Sequence, residues 1–227
     1  MKYNSIKKGK FLTRKNRFVA LIEIENEVTT CHVKNTGRLK EILLPNTIVY
    51  VEEVNNPNRK TKYDLIAAKK GNRIINIDSL APNKVVQENI YHLFPDLVKY
   101  QQEKTYKNSR FDFYIETKSD KIYIEVKGVT QEVDNVVMFP DAPTERGLKH
   151  IQELIDAVKK GYQAYIIFVI QLKDVLYFTP NNDIHEKFAE LLTRAHNEGV
   201  HILAYDCNVT PNEITLKDSV DVLLLQN

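Results

Sequence analysis

A chain of 227 residues, 43% hydrophobic and 27% charged, has the composition of an ordinary globular protein and room for one sizeable core or two small ones. Its formal net charge of +2 does not by itself call for nucleic acid. No apolar run approaches the roughly 18 residues a membrane helix needs, so no membrane partner is expected, and Cys31 and Cys207 form neither a disulfide framework nor a zinc signature. A reducing cytoplasm is the expected setting.

The N-terminal "MKYNSIKKGKFL" has the basic start of a signal peptide without the apolar stretch that should follow, so no leader is expected. Basic residues bunch in "SIKKGK", "RKNR" and "NRKTK", all in the first third. Such clusters meet phosphates or line solvated loops. The candidates for a basic track are Arg14, Lys15, Arg17, Arg38, Arg59 and Lys60.

The first eighty residues then read as five short strands: "RFVALIEIE", "VTTCHV", "TIVYVEEV", "KYDLIAA" and "RIINIDS". Turn-rich segments such as "KNTGR" and "NNPNRK" divide them. Five strands in a row suggest a small barrel of the OB type over residues 1–82, a fold that often binds nucleic acid or sugars.

Residues 83–227 follow a different pattern. A helix is expected over 84–93, with Pro82 and Pro95 outside its ends, then strands near 100–106, 110–116 and 121–127. In "TERGLKHIQELIDAVKKG" the residues Leu148, Ile151, Ile155 and Val158 recur on one helical face, and Gly161 closes the helix. "AYIIFVIQ" reads as a strand buried on both faces. "DIHEKFAELLTRAHNEG" is a second helix, with Asp183 and Glu186 at capping-box spacing. "VHILAYD" is a strand, and "DVLLL" is a candidate last one. Together these elements make an α/β sandwich around a mixed sheet. No long linker separates the two regions, so close packing between them is expected.

The chemistry concentrates in "SRFDFYIETKSDKIYIEVKG". Alternation puts Phe111, Phe113 and Ile115 on one strand face and Asp112 on the other. If the two strands form a hairpin, Asp112 and Glu125 share a face, and Lys127 lies about 7 Å beyond Glu125 at roughly 3.3 Å per residue. Neighbouring carboxylates stay ionised most readily around a cation, and Mg²⁺ or Mn²⁺ suits two hard oxygen ligands. Such an ion polarises a phosphodiester and acidifies bound water, and an ammonium orients that water or meets the growing charge. A solvated amphipathic hairpin has the same spacing. Glu103 precedes the Asp112 strand and can join the cluster. Glu88, in the preceding helix, is a weaker candidate. Asp141, Arg146 and His150 gather at the start of the long helix. Arg146 and His150 lie one turn apart, away from the apolar stripe, where they form either a phosphate-binding surface or a solvated face. Asp141 also fits an N-terminal cap.

"HVKNTGRLKEIL", "RKTKYDL", "SRFDFYIE", "YIEVKGVT" and "FPDAPTERGLKHIQEL" together resemble the sugar fermentation stimulation protein A (SfsA) family of bacteria and archaea, from about Arg14 to Gly199. Pro143 departs from the apolar residue more usual there, a change a first helical turn tolerates. The resemblance implies an N-terminal OB-like domain and a C-terminal restriction-endonuclease-like domain of the PD-(D/E)xK type. It also implies DNA binding and a regulatory link to sugar utilisation. On that pattern Asp112 takes the place of the metal-ligand aspartate, and Glu125 and Lys127 take the E-x-K places. Phe111 stands where the motif's name has proline. Fold analogy alone does not establish activity.

Three readings follow. The first is a DNA nuclease using Mg²⁺ or Mn²⁺, with catalytic candidates Asp112, Glu125, Lys127, Glu103, Arg146 and His150, and with Asp112 and Glu125 on the metal. The second is a DNA-binding regulator of sugar-metabolism genes that never cuts. The third is a sugar- or nucleotide-binding module, for which no phosphate-cradling glycine loop is visible. DNA strand state and oligomeric state stay open, a homodimer among the options.

Overall fold

A computed structural model describes residues 1–225. Strands β1 (Ile6–Asn16), β2 (Val19–Ile24), β3 (Glu27–Val33), β4 (Ile48–Glu53) and β5 (Tyr63–Lys70) form the first sheet. β1 pairs antiparallel with β2 and β4, β2 with β3, and β4 with β5. A parallel pairing of β3 with β5, Cys31 opposite Tyr63 and Val33 opposite Leu65, closes the barrel. Leu39, Ile42 and Leu43, in the β3–β4 connection, are buried and join its core.

The closed five-stranded barrel matches expectation, but its membership differs. The expected fifth strand is β6 (Arg73–Asn76), which extends β5 as a hairpin outside the closure. The true first strand, β1, reads in sequence as a basic tail because only Gly9 and Phe11 along it are buried. Gly9 is required there: a Cβ would sit 2.8 Å from the carbonyl oxygen of Glu23.

After the barrel come α1 (Ala81–Glu88) and the single turn α2 (Ile90–Leu93). The expected helix over 84–93 is thus broken at Asn89, and Pro82 lies inside the first turn, where its missing N–H costs nothing. β7 (Leu97–Tyr106), β8 (Ser109–Thr117) and β9 (Lys121–Val129) form an antiparallel meander. Next come β10 (Glu132–Val133), β11 (Val136–Phe139), α3 (Glu145–Lys159), β12 (Gln163–Ile170) and β13 (Tyr177–Pro180). α4 (Asn182–Asn197), β14 (His201–Thr210) and β15 (Glu213–Ser219) follow.

The main sheet has the order β15-β14-β12-β9-β8-β7, and β12 pairs parallel with both β9 and β14. β10, β11 and β13 form a small separate sheet. α3 and α4 pack together on one face of the main sheet, and α1 covers the other. The mixed sheet between helices matches expectation, while β15 does not: in "EITLKDS" only Ile214 is buried, too little for an apolar signal. "DVLLL" forms no strand; Val222 makes one bridge to Phe178. The N-cap of α4 is Asn181, whose side chain makes no capping bond, so the expected capping box at Asp183 and Glu186 is not formed.

The barrel and the sheet meet along a polar seam. The Asn76 N–H donates to the Gln171 carbonyl at 2.9 Å, and Gln171 Nε2 donates to Asn76 Oδ1 at 2.9 Å and to the Asp78 carbonyl at 3.0 Å. Lys34 reaches fully buried Asp78 at 2.7 Å. Across a second contact, Lys70 and Arg73 of the barrel hairpin hold Glu132 at 2.6 and 2.8 Å. Burial would raise the Glu132 pKa, but Lys70, the Asn135 N–H and Arg73 outweigh it and bring it down to about 2.

Candidate active site at the fork of two strands

The ladder between β8 and β9 runs from Glu116 opposite Lys121 to Phe113 opposite Ile124. One step further, Asp112 Oδ2 accepts the Val126 N–H at 2.7 Å. A side chain therefore takes a bond that the ladder would otherwise supply, and the strands begin to part. The change in backbone direction splits the expected apolar face. Phe111 packs with Tyr106, Tyr123 and His150 on the α3 side, and Phe113 joins Ile115, Ile122 and Ile124 on the α1 side. Strict alternation puts Phe111 and Phe113 together, and the structure corrects that expectation.

The other oxygen of Asp112, Oδ1, accepts from Asn83 of α1 at 2.7 Å. Burial first, and the Glu125 charge second, push the Asp112 carboxyl up to about 6 against the opposing Val126 N–H, Asn83 and Lys127. Asp112 thus lies close enough to Glu125 for that charge to add to the rise, while its side-chain partner Asn83 comes from α1 and the Glu125 partner His150 from α3. Asn83 has no sequence signal of its own; only the packing of α1 on β9 brings it here.

Glu125 is buried, 3% exposed. Its Oε1 accepts Lys127 Nζ at 2.6 Å and pairs with His150 Nδ1. Arg146 Nε donates to His150 Nε2 at 3.3 Å. Glu125 Oε2 is buried and has no hydrogen-bond partner. Burial would raise the Glu125 pKa, but His150 and Lys127 more than offset it and hold the carboxyl below the usual range.

These contacts correct the expected helix face. His150 is 3% exposed and does not lie on the side of α3 away from the core. The buried face includes Gly147, His150, Glu153 and Leu154 as well as Ile151 and Ile155, because α4 and β8 cover what a single stripe would leave in solvent. With both ring nitrogens engaged, His150 offers nothing to a phosphate. Arg146 is exposed. Asp141 is not the cap: Thr144 is the N-cap of α3 and accepts the Gly147 N–H at 3.0 Å.

The remaining candidates divide. Glu103 is exposed, sits at a positive φ of 54°, and pairs with Arg110 at 3.5 Å. It does not touch Glu125, but it lines a cavity of about 460 Å³ with Asn83, Lys84, Glu88 and Asp112. Glu88 is engaged by the N-terminal amine at 2.5 Å. Arg14 is not a free cation: its guanidinium holds the carbonyls of Asn35, Gly37, Arg38 and Arg17. Arg59 is likewise turned inward, onto Asp64. Lys15, Arg17, Arg38 and Lys60 are exposed. Arg17 and Arg38 flank an apolar hollow of about 430 Å³ at the barrel end, floored by Phe11 and Leu43. The neighbouring barrel loop, Asn35 to Gly37, meets Gly128 to Gln131 across a cleft of about 190 Å³, so this end of the barrel adjoins the end of β9 that carries Lys127.

Gly128 sits at that junction. A Cβ there would lie 2.6 Å from Gln171 Oε1 and 2.7 Å from Pro82 Cγ. The glycine that ends "IYIEVKG" thus allows β9 to pass between the barrel exit and α1.

Mg²⁺ or Mn²⁺ fits the donors present in one respect: the buried Oε2 of Glu125 lacks a partner beside a second carboxylate that resists ionisation. Among the described residues no three His, Cys, Asp or Glu side chains gather in a group that could hold a metal, so the fork offers at most these two carboxylates. Also among these residues, no helix is long and apolar enough to cross a membrane.

Residues 12–77 match the model of the SfsA N-terminal OB domain, and residues 80–213 that of the sugar fermentation stimulation protein RE domain. Sugar fermentation stimulation protein homologs from Clostridium beijerinckii and Ruminiclostridium cellulolyticum are 55% and 56% identical, with 99% of this chain and 100% of each relative aligned. The solved structure of Pyrococcus furiosus SfsA in complex with Ca²⁺ superposes with a TM-score of 0.88 at 31% identity, covering 99% of this chain and 98% of that one.

Proposed function

The chain belongs to the sugar fermentation stimulation protein family, and we propose that it is a DNA-binding protein with a divalent-metal-dependent phosphodiesterase centre at the β8–β9 fork. The observation that carries this reading is the unpartnered, buried Oε2 of Glu125 beside Asp112. The Pyrococcus furiosus relative, solved in complex with Ca²⁺, supports it.

Asp112 and Glu125 would hold Mg²⁺ or Mn²⁺, which when bound activates a water and polarises a phosphodiester. Lys127 lies on the Glu125 side of the fork, where its ammonium orients the nucleophile and offsets charge growing on phosphorus. The exposed guanidinium of Arg146 is available for a neighbouring phosphate. Lys15, Arg17, Arg38 and Lys60 supply cations along the barrel for the DNA backbone, and Glu103 stands at the rim of the Asp112 cavity.

The test is cleavage of single-stranded, duplex and branched DNA with Mg²⁺ or Mn²⁺ by wild type, Asp112→Ala and Lys127→Ala. Metal-dependent cleavage lost in both variants supports the reading. Equal behaviour of wild type and Asp112→Ala on every substrate overturns it. A second reading, a non-cutting DNA-binding regulator linked to sugar utilisation, is favoured by the lack of a third protein ligand at the fork among the described residues. It predicts salt-sensitive DNA binding without a metal requirement.

A further inference from the structure

His150 does not fit the role its position on α3 suggests. Its two nitrogens have distinct partners: Arg146 Nε at 3.3 Å from Nε2, and Glu125 Oε1 at Nδ1. An arginine Nε–H only donates, so Nε2 must be the acceptor and the ring proton must sit on Nδ1. Nδ1–H then donates to Oε1. Lys127 Nζ donates to the same oxygen at 2.6 Å. Two donors from two different elements therefore converge on one carboxylate oxygen, and the other, Oε2, keeps its lone pairs although it is buried.

We infer that His150 is a positioning residue for Glu125. Held as the Nδ1–H tautomer between the Glu125 carboxylate and Arg146, it pins Oε1 and turns Oε2 toward the place of a divalent cation. The inference rests on the proposed metal centre and adds to it an outer-shell pair, His150 and Arg146. A ligand carboxylate held by a hydrogen bond from behind binds metal more tightly because its orientation is set before the ion arrives, and loss of such a partner typically weakens affinity about 10–100-fold. Phe111 stacks edge-on to the ring at 5.9 Å and restricts its rotation, which suits a fixed donor better than a mobile phosphate contact.

The test measures Mn²⁺ and Ca²⁺ affinity by calorimetry on the full chain, with binding of a DNA duplex followed in parallel. His150→Ala should weaken cation binding about 10–100-fold and leave metal-free DNA binding unchanged. His150→Gln, whose amide N–H can reach toward Oε1, should restore part of the loss. Arg146→Ala leaves the core intact, because the residue is exposed. It should release Nε2, seen by ¹⁵N NMR as a shift of that nitrogen while Nδ1–H stays on Glu125, with a smaller drop in cation affinity. If His150→Ala and Arg146→Ala both leave cation affinity at the wild-type value, the positioning role is wrong and the metal centre stands. If the wild type itself binds neither cation, the metal centre and the positioning role fall together. Should His150→Ala fail to fold, Arg146→Ala decides through cation affinity: a drop supports the positioning role and the wild-type value overturns it.

Discussion

The barrel and the strand fork treat charge in opposite ways. Arg14 and Arg59 look like phosphate contacts in the sequence, yet the first holds backbone carbonyls and the second is taken up by Asp64. At the fork Glu125 also has close partners, but they crowd onto one oxygen and leave the other buried and unmatched. A buried polar group normally finds its partner within the protein. Most of the barrel's inward charges are taken up by the protein itself, although Arg14 Nε is also buried without a partner, whereas at the fork the unmatched atom is a carboxylate oxygen beside a second carboxylate. Of the six candidate barrel cations, four, Lys15, Arg17, Arg38 and Lys60, are exposed.

The contrast breaks most sharply at Glu125. Glu125→Gln removes one of two candidate ligating carboxylates and should lower Mn²⁺ affinity by more than about 100-fold, measured by calorimetry. An unchanged affinity would mean that the unmatched oxygen has no cation to meet. Next in size is Gly128→Ala. A methyl group 2.6 Å from Gln171 Oε1 must displace β9, Pro82 or the barrel exit. A loss of about 1–3 kcal/mol in denaturant melts is expected, with weaker cation binding because Lys127 is the adjacent residue.

Glu132 sharpens the comparison from the structural side. Its folded pKa is depressed from the ordinary 4.5 to about 2. Its contribution is thus complete above pH 4.5 and is lost as pH falls from there toward 2. Glu132→Gln should cost about 2 kcal/mol at neutral pH and flatten the acid limb of the stability profile. The smallest effects concern the barrel. Arg17→Ala and Arg38→Ala should each reduce the salt slope of duplex binding by about one unit and leave stability unchanged. Arg14→Ala should do the reverse, destabilising the barrel through four freed carbonyls without a change in slope.

The parts legible in the sequence are those where burial follows a simple period. β12 is apolar on both faces, and the meander of β7, β8 and β9 and the long helix α3 carry clear local patterns. β1 and β15 are hidden because each buries so few side chains that a strand reads as a charged tail. At the site, Asp112, Glu125 and Lys127 are visible because strand spacing alone places two carboxylates near one amine. His150 is visible as a residue type but not in its role, since its burial depends on α4 and β8, which no local pattern on α3 encodes. Asn83 and Gln171 carry no signal, because each acts across more than about 25 residues of chain, Asn83 on Asp112 and Gln171 on Asn76.

The seam of Asn76, Asp78, Lys34 and Gln171 bears on how far the protein is modular. An apolar interface tolerates any partner of suitable shape, whereas hydrogen bonds between buried amides and carboxylates are matched one by one. Melting the barrel alone would strand Gln171 without its acceptors and Glu132 without its cations. The two halves can be told apart in sequence, but the seam predicts that they unfold as a single unit. A barrel transplanted from a relative would succeed only if it brought its side of the seam with it.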